Sequence, residues 1–385
     1  MMTKPLAGLR VVELARILAG PWAGQVLADL GADVVKIESP AGDDTRQWGP
    51  PFVERMAEDG TTDRSAAYFH ACNRGKRSVA ADFTDPSDLA FVRGLIADAD
   101  VVIENFKVDG LAKFGLDYRT LAATNPRLIY CSITGFGQTG PYRERAGYDF
   151  LIQGMAGVMD LTGEPSGSPQ KIGVAFADIF TGLYAVISIQ AALHERERTG
   201  RGQHIDMALL DCLTGVLANQ GMNFLATGIS PIRMGNAHPN IVPYQTFTTS
   251  DGWIIIAVGN DGQFDRLCEV LGCRELSRDS RYASNPARVS NRTALIATLT
   301  ALIEKWPRDE LLKRLDTAVV PAGPINRVSE IFADPQITAR GMVVNVGGIP
   351  AIRTPIIMDG DPVVSNAPSP GRNEHGRHIR AAGWG

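Results

Sequence analysis

Short apolar runs alternate with longer periodic segments over the first 135 residues of the chain. Residues 9–14 and 33–38 read as strands on either side of a helix over 20–30. A proline in the first turn and a glycine after the last turn are typical helix boundaries, and Pro21 and Gly31 stand at these places. The same pattern predicts strands at 101–105 and 128–133 and a helix over 86–98. Apolar strands that alternate with helices predict an α/β fold whose parallel sheet is covered on both faces.

The pattern changes after about residue 225. Apolar runs at 244–249 and 253–258 flank a Ser-Asp-Gly turn, which predicts an antiparallel hairpin. Helical patterns follow at 263–271, 292–305 and 308–315, and the Pro-Ala-Gly-Pro sequence at 321–324 reads as a linker. We therefore predict a large domain over 1–225, a smaller α+β domain over 230–325, and a return segment over 326–385 that completes the large domain.

The composition indicates a globular protein, and the charge distribution argues against nucleic acid or a membrane as its main partner. The chain has 385 residues, of which 44% are hydrophobic and 21% charged, and its formal net charge is −4. It contains no basic block, which argues against nucleic acid or an acidic membrane as a partner. Five scattered cysteines without a CxxC pair favour reduced thiols in a cytoplasmic protein. No histidine pair has metal-ligand spacing and no apolar run reaches about 18 residues, so we expect neither a metal site nor a bilayer span.

Asp178 stands at the head of a long apolar segment that runs to Leu193. Aspartate is a favoured N-cap, because its oxygens accept hydrogen bonds from the free backbone N–H groups of the first turn. The flanking residues are apolar, however, and such surroundings disfavour an ionised carboxylate unless the protein uses it. A helix N-terminus would help to keep it charged. Taken alone, the residues leave two interpretations open, a helix cap and a nucleophile.

Two glycine-rich turns follow predicted strands. Residues 135–140 fit the pattern G-x-G-x-x-G, which makes a dinucleotide-dependent oxidoreductase an alternative. The stretch continues into Pro141 instead of a clean helix, so its context differs from that of a dinucleotide-binding loop. The second turn consists of Gly259, Asn260, Asp261 and Gly262, and it is either a structural turn or a mobile lid over an active site.

A basic turn at 73–78 places Arg74, Lys76 and Arg77 just before a strand-like segment. It is not a Walker A motif, because the required glycine and the Lys-Ser pair are missing. The turn is either solvated or binds the phosphates of a large anionic cofactor. Lys107 and Lys113, which follow the strand at 101–105, would add to such a site.

Taken in order, these segments resemble the class III CoA-transferase family, the CaiB/BaiF type, over essentially the whole chain. The residues that carry the resemblance are 6–14, 18–21, 31–38, 73–78, 104–106, 125–129, 135–137, 147–149, Asp178 and 199–203. Each segment is a weak match alone, whereas so many in one order form a specific pattern.

The resemblance implies a Rossmann-like large domain built from both termini, a smaller domain between them, and an interlocked homodimer in which each chain threads through the other. It implies that Asp178 is the nucleophile, that CoA and acyl-CoA are substrates with no cofactor bound permanently, and that the turn at 259–262 is a lid. It also implies CoA contacts at Leu18, Ala19, Asn73, Arg74, Gly75, Lys76, Asn105, Phe106, Lys107, Lys113, Ala146, Gly147, Tyr148 and Asp149. Ser39 stands where some relatives carry an arginine for the adenine end of CoA.

By resemblance, Asp178 attacks the thioester of a donor acyl-CoA, and the reaction passes through an aspartyl anhydride and an aspartyl-CoA thioester before an acceptor acid takes the CoA. Related α-methylacyl-CoA racemases carry a histidine where Tyr148 stands here. Tyrosine is a poor base at neutral pH, which favours transfer over racemisation.

The stretch 233–245 looks most like the branch of the family that uses dicarboxylic acids, with succinyl-CoA as donor. Arg233 or His238 would then pair with the distal carboxylate of a substrate, or else form an ion pair at the protein surface. A module that binds CoA thioesters and leaves them unchanged is a further alternative.

Overall fold

The computed structural model describes residues 4–56, 60 and 62–385. The chain divides into two compact units, each with an apolar core of its own. The first unit comprises the chain up to Val158, Lys171–Ile229 and Pro335–Gly385, and the second comprises Met159–Gln170 and Ser230–Asp334. The domain boundaries predicted at 1–225, 230–325 and 326–385 stay a prediction.

The strands and helices are numbered in chain order. The strands are β1 (Arg10–Glu13), β2 (Asp33–Glu38), β3 (Phe52–Met56), β4 (Thr62–Ala66), β5 (Lys76–Ala80), β6 (Val101–Glu104), β7 (Ile129–Thr134), β8 (His204–Ala208), β9 (Tyr244–Thr248), β10 (Trp253–Ala257), β11 (Ala322–Pro324), β12 (Val343–Val346), β13 (Ile349–Ile352), β14 (Ile357–Met358) and β15 (Asp361–Pro362). The helices are α1 (Ala19–Asp29), α2 (Ala67–His70), α3 (Pro86–Ala97), α4 (Tyr118–Thr124), α5 (Asp149–Met155), α6 (Val158–Leu161), α7 (Phe176–Thr199), α8 (Leu209–Gly215), α9 (Ala218–Thr227), α10 (Asp261–Val270), α11 (Glu275–Arg278), α12 (Asn285–Ser290), α13 (Arg292–Ile303), α14 (Arg308–Thr317), α15 (Val328–Ala333), α16 (Pro335–Ala339) and α17 (Gly376–Ala382). Short 3₁₀ turns lie at Asp44–Gln47 and Ala112–Phe114.

A six-stranded parallel sheet forms the centre of the first unit, with the strand order β5-β2-β1-β6-β7-β8. In its register Val12 pairs with Val35 on one side and with Val102 on the other. All three valines are fully buried. Helices cover both faces of the sheet, which is why the strand sequences are almost continuously apolar. The parallel sheet predicted from the sequence is confirmed.

The two faces of this sheet carry separate apolar clusters. Helices α1 and α7 pack on one face, where Ala23 and Ile189 belong to the buried cluster. Helices α3, α4 and α17 contribute to the cluster on the other face, where Val92 and Ile379 are fully buried. Helix α17 lies near the C-terminus, so residues from both ends of the described chain contribute to this core.

Helix α7 has 24 residues and, within the described chain, is the helix that is long and apolar enough to cross a membrane. The sequence prediction concerned an unbroken apolar run of about 18 residues, and Asp178, Thr181 and Gln190 interrupt the run in α7, so the expectation of no bilayer span stays a prediction. One face of α7 packs in the core of the first unit, where Ala177, Ala185 and Ile189 are fully buried.

The second unit contains a three-stranded antiparallel sheet with the order β11-β10-β9. The predicted hairpin of β9 and β10 is confirmed, with Ile254 opposite Phe247. The prediction of a linker at 321–324 is wrong, because Ala322–Pro324 pairs with β10 as strand β11. Proline is tolerated there because β11 is an edge strand, which does not need every N–H group for the ladder.

A cluster of charged side chains lies buried in the first unit. The Glu13 carboxylate of β1 lies 3.1 Å from Lys36 Nζ of β2 and 2.8 Å from Lys76 Nζ of β5. Lys36 Nζ also lies 2.9 Å from the Asp43 carboxylate. Burial favours the neutral amine, but Asp43, Glu13 and Glu38 outweigh it and raise the pKa of Lys36. Burial also acts on Lys76 and lowers its pKa, although Glu13 opposes the shift. The pairs tie three neighbouring strands together.

Gly24 of α1 faces this cluster, and a Cβ atom there would lie 1.8 Å from Glu13 Oε2. Glu13 cannot move aside without leaving a buried charge unpaired. We expect Gly24→Ala to lower the free energy of unfolding by about 2–4 kcal/mol, measured by urea denaturation.

The matched control is Gly94→Ala in α3, where the residue is exposed and a Cβ atom would meet nothing within 4 Å. This substitution should raise the free energy of unfolding by about 0.5–1 kcal/mol through helix propensity. A Gly24→Ala protein as stable as the wild type would show that Glu13 is not held in place.

Candidate active site

Asp178 is the third residue of α7 and does not cap it. The N-cap residue is Ala175, whose side chain makes no capping hydrogen bond. The Asp149 carboxylate of α5 takes over this function, because its Oδ1 atom accepts a hydrogen bond of 2.8 Å from the Ala177 backbone N–H. Of the two interpretations that the sequence left open for Asp178, the helix cap is wrong.

Asp149 is itself held in place. The Gln153 amide, one turn further along α5, donates a 2.7 Å hydrogen bond to Asp149 Oδ2. Gln153 is fully buried, and its Oε1 atom accepts from the Ile172 backbone N–H at 2.9 Å. The start of α7 is therefore organised by α5, and the Asp178 side chain is left without a structural task.

The surroundings of Asp178 disfavour its ionised form. Its side chain is half-buried, and no hydrogen bond to it is found among the described residues. Burial, with a contribution from the negative charge of Asp149, raises the pKa of Asp178 to about 7. A poorly hydrated carboxylate at the start of a helix is partly ionised near neutral pH and free to attack an electrophile.

Tyr68 of α2 is a neighbour of this carboxylate that the sequence analysis missed. Burial and then the charge of Asp178 raise the pKa of Tyr68 to about 12, so the phenol keeps its proton at neutral pH. The Tyr68 ring packs edge-to-face on the Trp48 ring with 5.3 Å between centroids. A lone tyrosine in a four-residue helix carries no sequence signal that would single it out.

The predicted CoA contacts Leu18, Ala19 and Asn105 come together at the carboxyl edge of the sheet. Leu18 and Ala19 begin α1 just after β1, and Asn105 follows the neighbouring strand β6. The Asn105 side chain accepts from the Arg16 N–H at 3.0 Å and donates to the Arg16 carbonyl at 2.7 Å, which joins the two loops. The chain leaves β1 and β6 in opposite directions, and this topological switch point is where open α/β sheets bind ligands.

Of the two interpretations of the basic turn, the solvated turn is wrong and the phosphate site stays a prediction. Asn73, Arg74 and Lys76 are buried, so the turn is not a solvated one. The Arg74 guanidinium makes a two-pronged ion pair with Asp29 at 2.6 and 3.1 Å, and Lys76 pairs with Glu13. These cations are neutralised inside the protein, so a contact of residues 73–76 with CoA would be left to backbone atoms, including those of Gly75.

The two lysines after β6 are exposed and, among the described residues, take part in no ion pair. Lys107 lines a cavity of about 380 Å³, and the Lys113 ammonium lies 4.7 Å from the centre of the Phe114 ring. Phe106, between Asn105 and Lys107, packs against the apolar cluster that includes α3. Lys107 and Lys113 are therefore the predicted contacts whose charge is available for an anionic ligand.

The same cavity has a polar floor that the sequence analysis did not predict. Its lining includes Glu104, Ser132 and His204 on the three strands β6, β7 and β8. The Ser132 hydroxyl and His204 Nε2 are 2.9 Å apart. Burial raises the pKa of Glu104 to about 7. These residues stand on three different strands, and only the register of the sheet brings them together.

The predicted segment from Ala146 to Asp149 lies before and at the start of α5. Gly147 packs backbone against backbone on Gly135, since a Cβ atom at Gly135 would lie 2.6 Å from Gly147 Cα. Tyr148 is 61% exposed. The close approach explains the glycine at 135, and the helix that a dinucleotide-binding loop needs begins only at Asp149, so the structural context of that alternative is missing.

The predicted lid and substrate residues lie in the second unit. The Asn260 side chain caps α10 by accepting from the Gln263 N–H at 2.9 Å, and Asp261 pairs with Arg288 at 2.7 Å. Asp261 and Gly262 thus belong to a helix, Gly259 donates its N–H to Gln263 Oε1 at 2.7 Å, and the segment is a capped helix start instead of a simple turn.

Arg233 and His238 differ in how far their polar atoms are used. His238 packs on Tyr244 with 5.2 Å between ring centroids, and its Nδ1 atom accepts from the Asn240 N–H at 3.1 Å. The Nε and Nη1 atoms of Arg233 are buried, and among the described residues neither has a hydrogen-bond partner. Buried donors without acceptors are costly.

Comparison with known proteins identifies the class of protein to which this fold belongs. A profile of CoA-transferase family III matches residues 6–376. The chain therefore belongs to this family, and the resemblance seen in the sequence is confirmed.

Relatives of known activity and structure cover almost the whole chain. A succinate–glutarate CoA-transferase of Agrobacterium fabrum is 58% identical over 383 residues, which span 98% of this chain and 95% of the relative. A succinyl-CoA:glutarate CoA-transferase of Mus musculus is 40% identical over 382 residues, spanning 98% and 86%. The crystal structure of a CAIB/BAIF family protein from Brucella suis matches with a TM-score of 0.88 at 64% identity and 99% coverage of both chains.

The raised pKa of Asp178 predicts a pH-dependent gain in stability on its replacement. At pH 8 the wild-type carboxylate is ionised in a poorly hydrated place, whereas at pH 5 it is protonated. Asp178→Asn removes the charge and should raise the melting temperature by about 2–4 °C at pH 8 and much less at pH 5. Thermal unfolding followed by circular dichroism measures both values.

Asp211→Asn is the matched control, because Asp211 also lies in the first turn of a helix, α8, but is exposed. Asp211→Asn should not raise the melting temperature at either pH, because a hydrated carboxylate at a helix N-terminus stabilises the helix. Equal effects of Asp178→Asn at pH 5 and pH 8 would contradict the raised pKa.

Proposed function

We propose that the protein transfers CoA from succinyl-CoA to a dicarboxylic acid such as glutarate. The observation that carries the proposal is the Asp178 carboxylate, which is half-buried and has no hydrogen-bond partner among the described residues. The names of relatives at 58% and 40% identity supply the substrate class. CoA thioesters are substrates in this proposal, and no cofactor stays bound.

The reaction proceeds through covalent intermediates on Asp178. The carboxylate attacks the thioester carbonyl of succinyl-CoA, which forms a mixed anhydride and releases CoA thiolate. The thiolate then attacks the aspartyl carbonyl, which forms an aspartyl-CoA thioester and frees succinate. The acceptor carboxylate attacks this thioester to give a second anhydride and thiolate, and attack of the thiolate on the acceptor carbonyl completes the transfer and restores Asp178.

The surroundings of Asp178 suit a nucleophile that must be regenerated. A pKa of about 7 leaves a large ionised fraction at neutral pH and makes the carboxylate more basic than an exposed one. Anhydrides hydrolyse readily, so water must be excluded during the reaction. The lid function of Gly259, Asn260, Asp261 and Gly262 belongs to this proposal.

CoA lies along the carboxyl edge of the sheet in this proposal. Leu18, Ala19 and Asn105 at the switch point support it, as do the exposed ammonium groups of Lys107 and Lys113, which suit the phosphates of CoA. The remaining contacts are the segments Asn73 to Lys76 and Ala146 to Asp149.

The working enzyme is an interlocked homodimer in the cytoplasm. Several helices of the first unit expose large apolar side chains, which are Phe150 of α5 at 60%, Ile187 of α7 at 61% and Leu225 of α9 at 74%. Exposed apolar patches of this kind favour association with another protein. The resemblance to the family implies a homodimer, so the proposed partner is a second copy of this chain. The five cysteines are free and buried, which supports a reducing compartment.

Replacement of the nucleophile tests the mechanism. Asp178→Ala should lower kcat by at least about 10⁴-fold while leaving CoA affinity within a few-fold of the wild type, because the change removes the reacting group only. Stopped assays with succinyl-CoA and glutarate measure kcat, and calorimetric titration measures CoA binding.

Trapping the intermediate adds a direct readout. The wild type incubated with succinyl-CoA and then reduced with borohydride should show the reduction at Asp178 by peptide mapping, and Asp178→Ala should show none. Normal turnover of Asp178→Ala, or an unmodified Asp178 in a protein that binds CoA, would rule out the mechanism.

We further propose that Arg233 donates its unpaired N–H groups to a carboxylate of the acceptor acid. Arg233→Gln should raise the KM for glutarate by about tenfold or more, because a hydrogen bond to a charged group is lost. Pentanoate has the same chain length as glutarate but a single carboxylate, and we expect it to be a poorer acceptor. The KM for pentanoate should be nearly the same in Arg233→Gln and in the wild type.

Arg233→Lys is the companion variant, since it keeps the charge and loses the planar donor pair. The KM of Arg233→Lys for glutarate should lie between those of the wild type and Arg233→Gln. An equal loss for glutarate and pentanoate would show that Arg233 acts on the fold and not on a substrate carboxylate.

A further inference from the structure

The loop between β1 and α1 contains a strained residue. Ile17 has a backbone φ of +72°, in the left-handed region. A β-branched side chain is rarely found there, because its Cβ substituents crowd the backbone. Such a conformation persists only when the surrounding structure imposes it, and it is concentrated at functional sites.

Side chains from distant parts of the chain hold this loop. Both carboxylate oxygens of Asp43 accept from the Ile17 N–H, at 3.2 and 3.3 Å. Lys36 Nζ donates to the Ala15 carbonyl at 2.8 Å, and Asn105 is bonded to both backbone groups of Arg16. Three successive residues thus have their backbone groups satisfied by side chains instead of by regular secondary structure.

Asp43 is held rigidly enough to impose a conformation. It is buried, its carboxylate lies 2.9 Å from Lys36 Nζ, and its Oδ1 atom accepts from the Thr45 hydroxyl at 2.8 Å. Its own N–H donates to Glu38 Oε2 at 2.8 Å. Burial alone would raise the pKa of Asp43, but Lys36 and the Thr45 hydrogen bonds lower it to about 2, so the carboxylate is ionised at neutral pH.

We propose that Asp43, fixed by Lys36, is a positioning residue that holds Ile17 in its left-handed conformation and thereby sets the backbone of Leu18 and Ala19 for CoA. The inference rests on the proposed function, because it takes these two residues as CoA contacts. Asp43 itself touches no substrate in this role. Its effect reaches CoA only through the shape of the loop.

Asp43→Asn tests this role. The amide group brings N–H donors toward the Lys36 ammonium and the Ile17 N–H, so the loop loses its anchor. The KM for succinyl-CoA should rise by about tenfold or more while kcat stays within about threefold, because a small misplacement weakens binding without removing the nucleophile. The control is Asp44→Asn, since Asp44 pairs with Arg16 of the same loop but is exposed, and it should leave KM within about twofold.

A double-mutant cycle separates positioning from general stability. Asparagine adopts the left-handed region more readily than isoleucine. In an Ile17→Asn background, Asp43→Asn should therefore raise KM by less than about threefold. An equal rise of KM in both backgrounds would overturn the inference.

Ile17→Pro extends the test without touching the buried charges. Proline has no N–H to donate to Asp43 and cannot adopt a positive φ. It should raise the KM for succinyl-CoA as Asp43→Asn does, with circular dichroism unchanged. An unchanged KM in Ile17→Pro or in Asp43→Asn overturns the inference alone, whereas a wild type that binds no CoA overturns the proposed function with it.

Discussion

The buried pairing of Glu13 with Lys36 and Lys76 is the constraint on which the rest of the first unit depends. Glu13 and Asp43 together balance the charges of Lys36 and Lys76, so removal of any one of these four buried side chains leaves an uncompensated buried charge. Glu13, Lys36 and Lys76 sit on adjacent strands of the sheet. The ion pairs therefore join the end of β1, the middle of β2 and the start of β5, and they hold the loop after β1 and the turn before β5.

Asp178 shows the opposite arrangement within the same unit. Its neighbours satisfy their own polar groups: Asp149 caps α7 and Gln153 holds Asp149. Asp178, the nucleophile of the proposed mechanism, is half-buried and has no hydrogen-bond partner among the described residues, which destabilises its charged form. The charged cluster of the sheet is fully paired, whereas the charge of Asp178 lowers the stability of the fold at neutral pH.

The sequence was sufficient for the elements whose pattern is local. The apolar strands, α1 with Pro21 and Gly31 at its ends, and the hairpin of β9 and β10 were all predicted from neighbouring residues. Asp178 was found because a carboxylate in an apolar stretch is anomalous in itself. What the sequence could not show were partners brought together by the fold: Asp29 for Arg74, or Asp149, which caps a helix from 28 residues away. The strand β11 was missed for a related reason, since its prolines suggest a linker unless its place at the sheet edge is known.

The same limit applies to the basic turn, whose ion pairs with Asp29 and Glu13 could not be predicted from the sequence. Three cations in six residues suggest either solvent or phosphate, and neither interpretation considers that a protein can use cations internally. The parallel register places Lys76 opposite Val34 of β2, two residues before Lys36, and the Lys76 ammonium reaches Glu13 from the next strand but one. One carboxylate then anchors both the loop after β1, through Lys36, and the turn before β5, through Lys76. Two segments that are distant in sequence are thereby joined through one buried carboxylate.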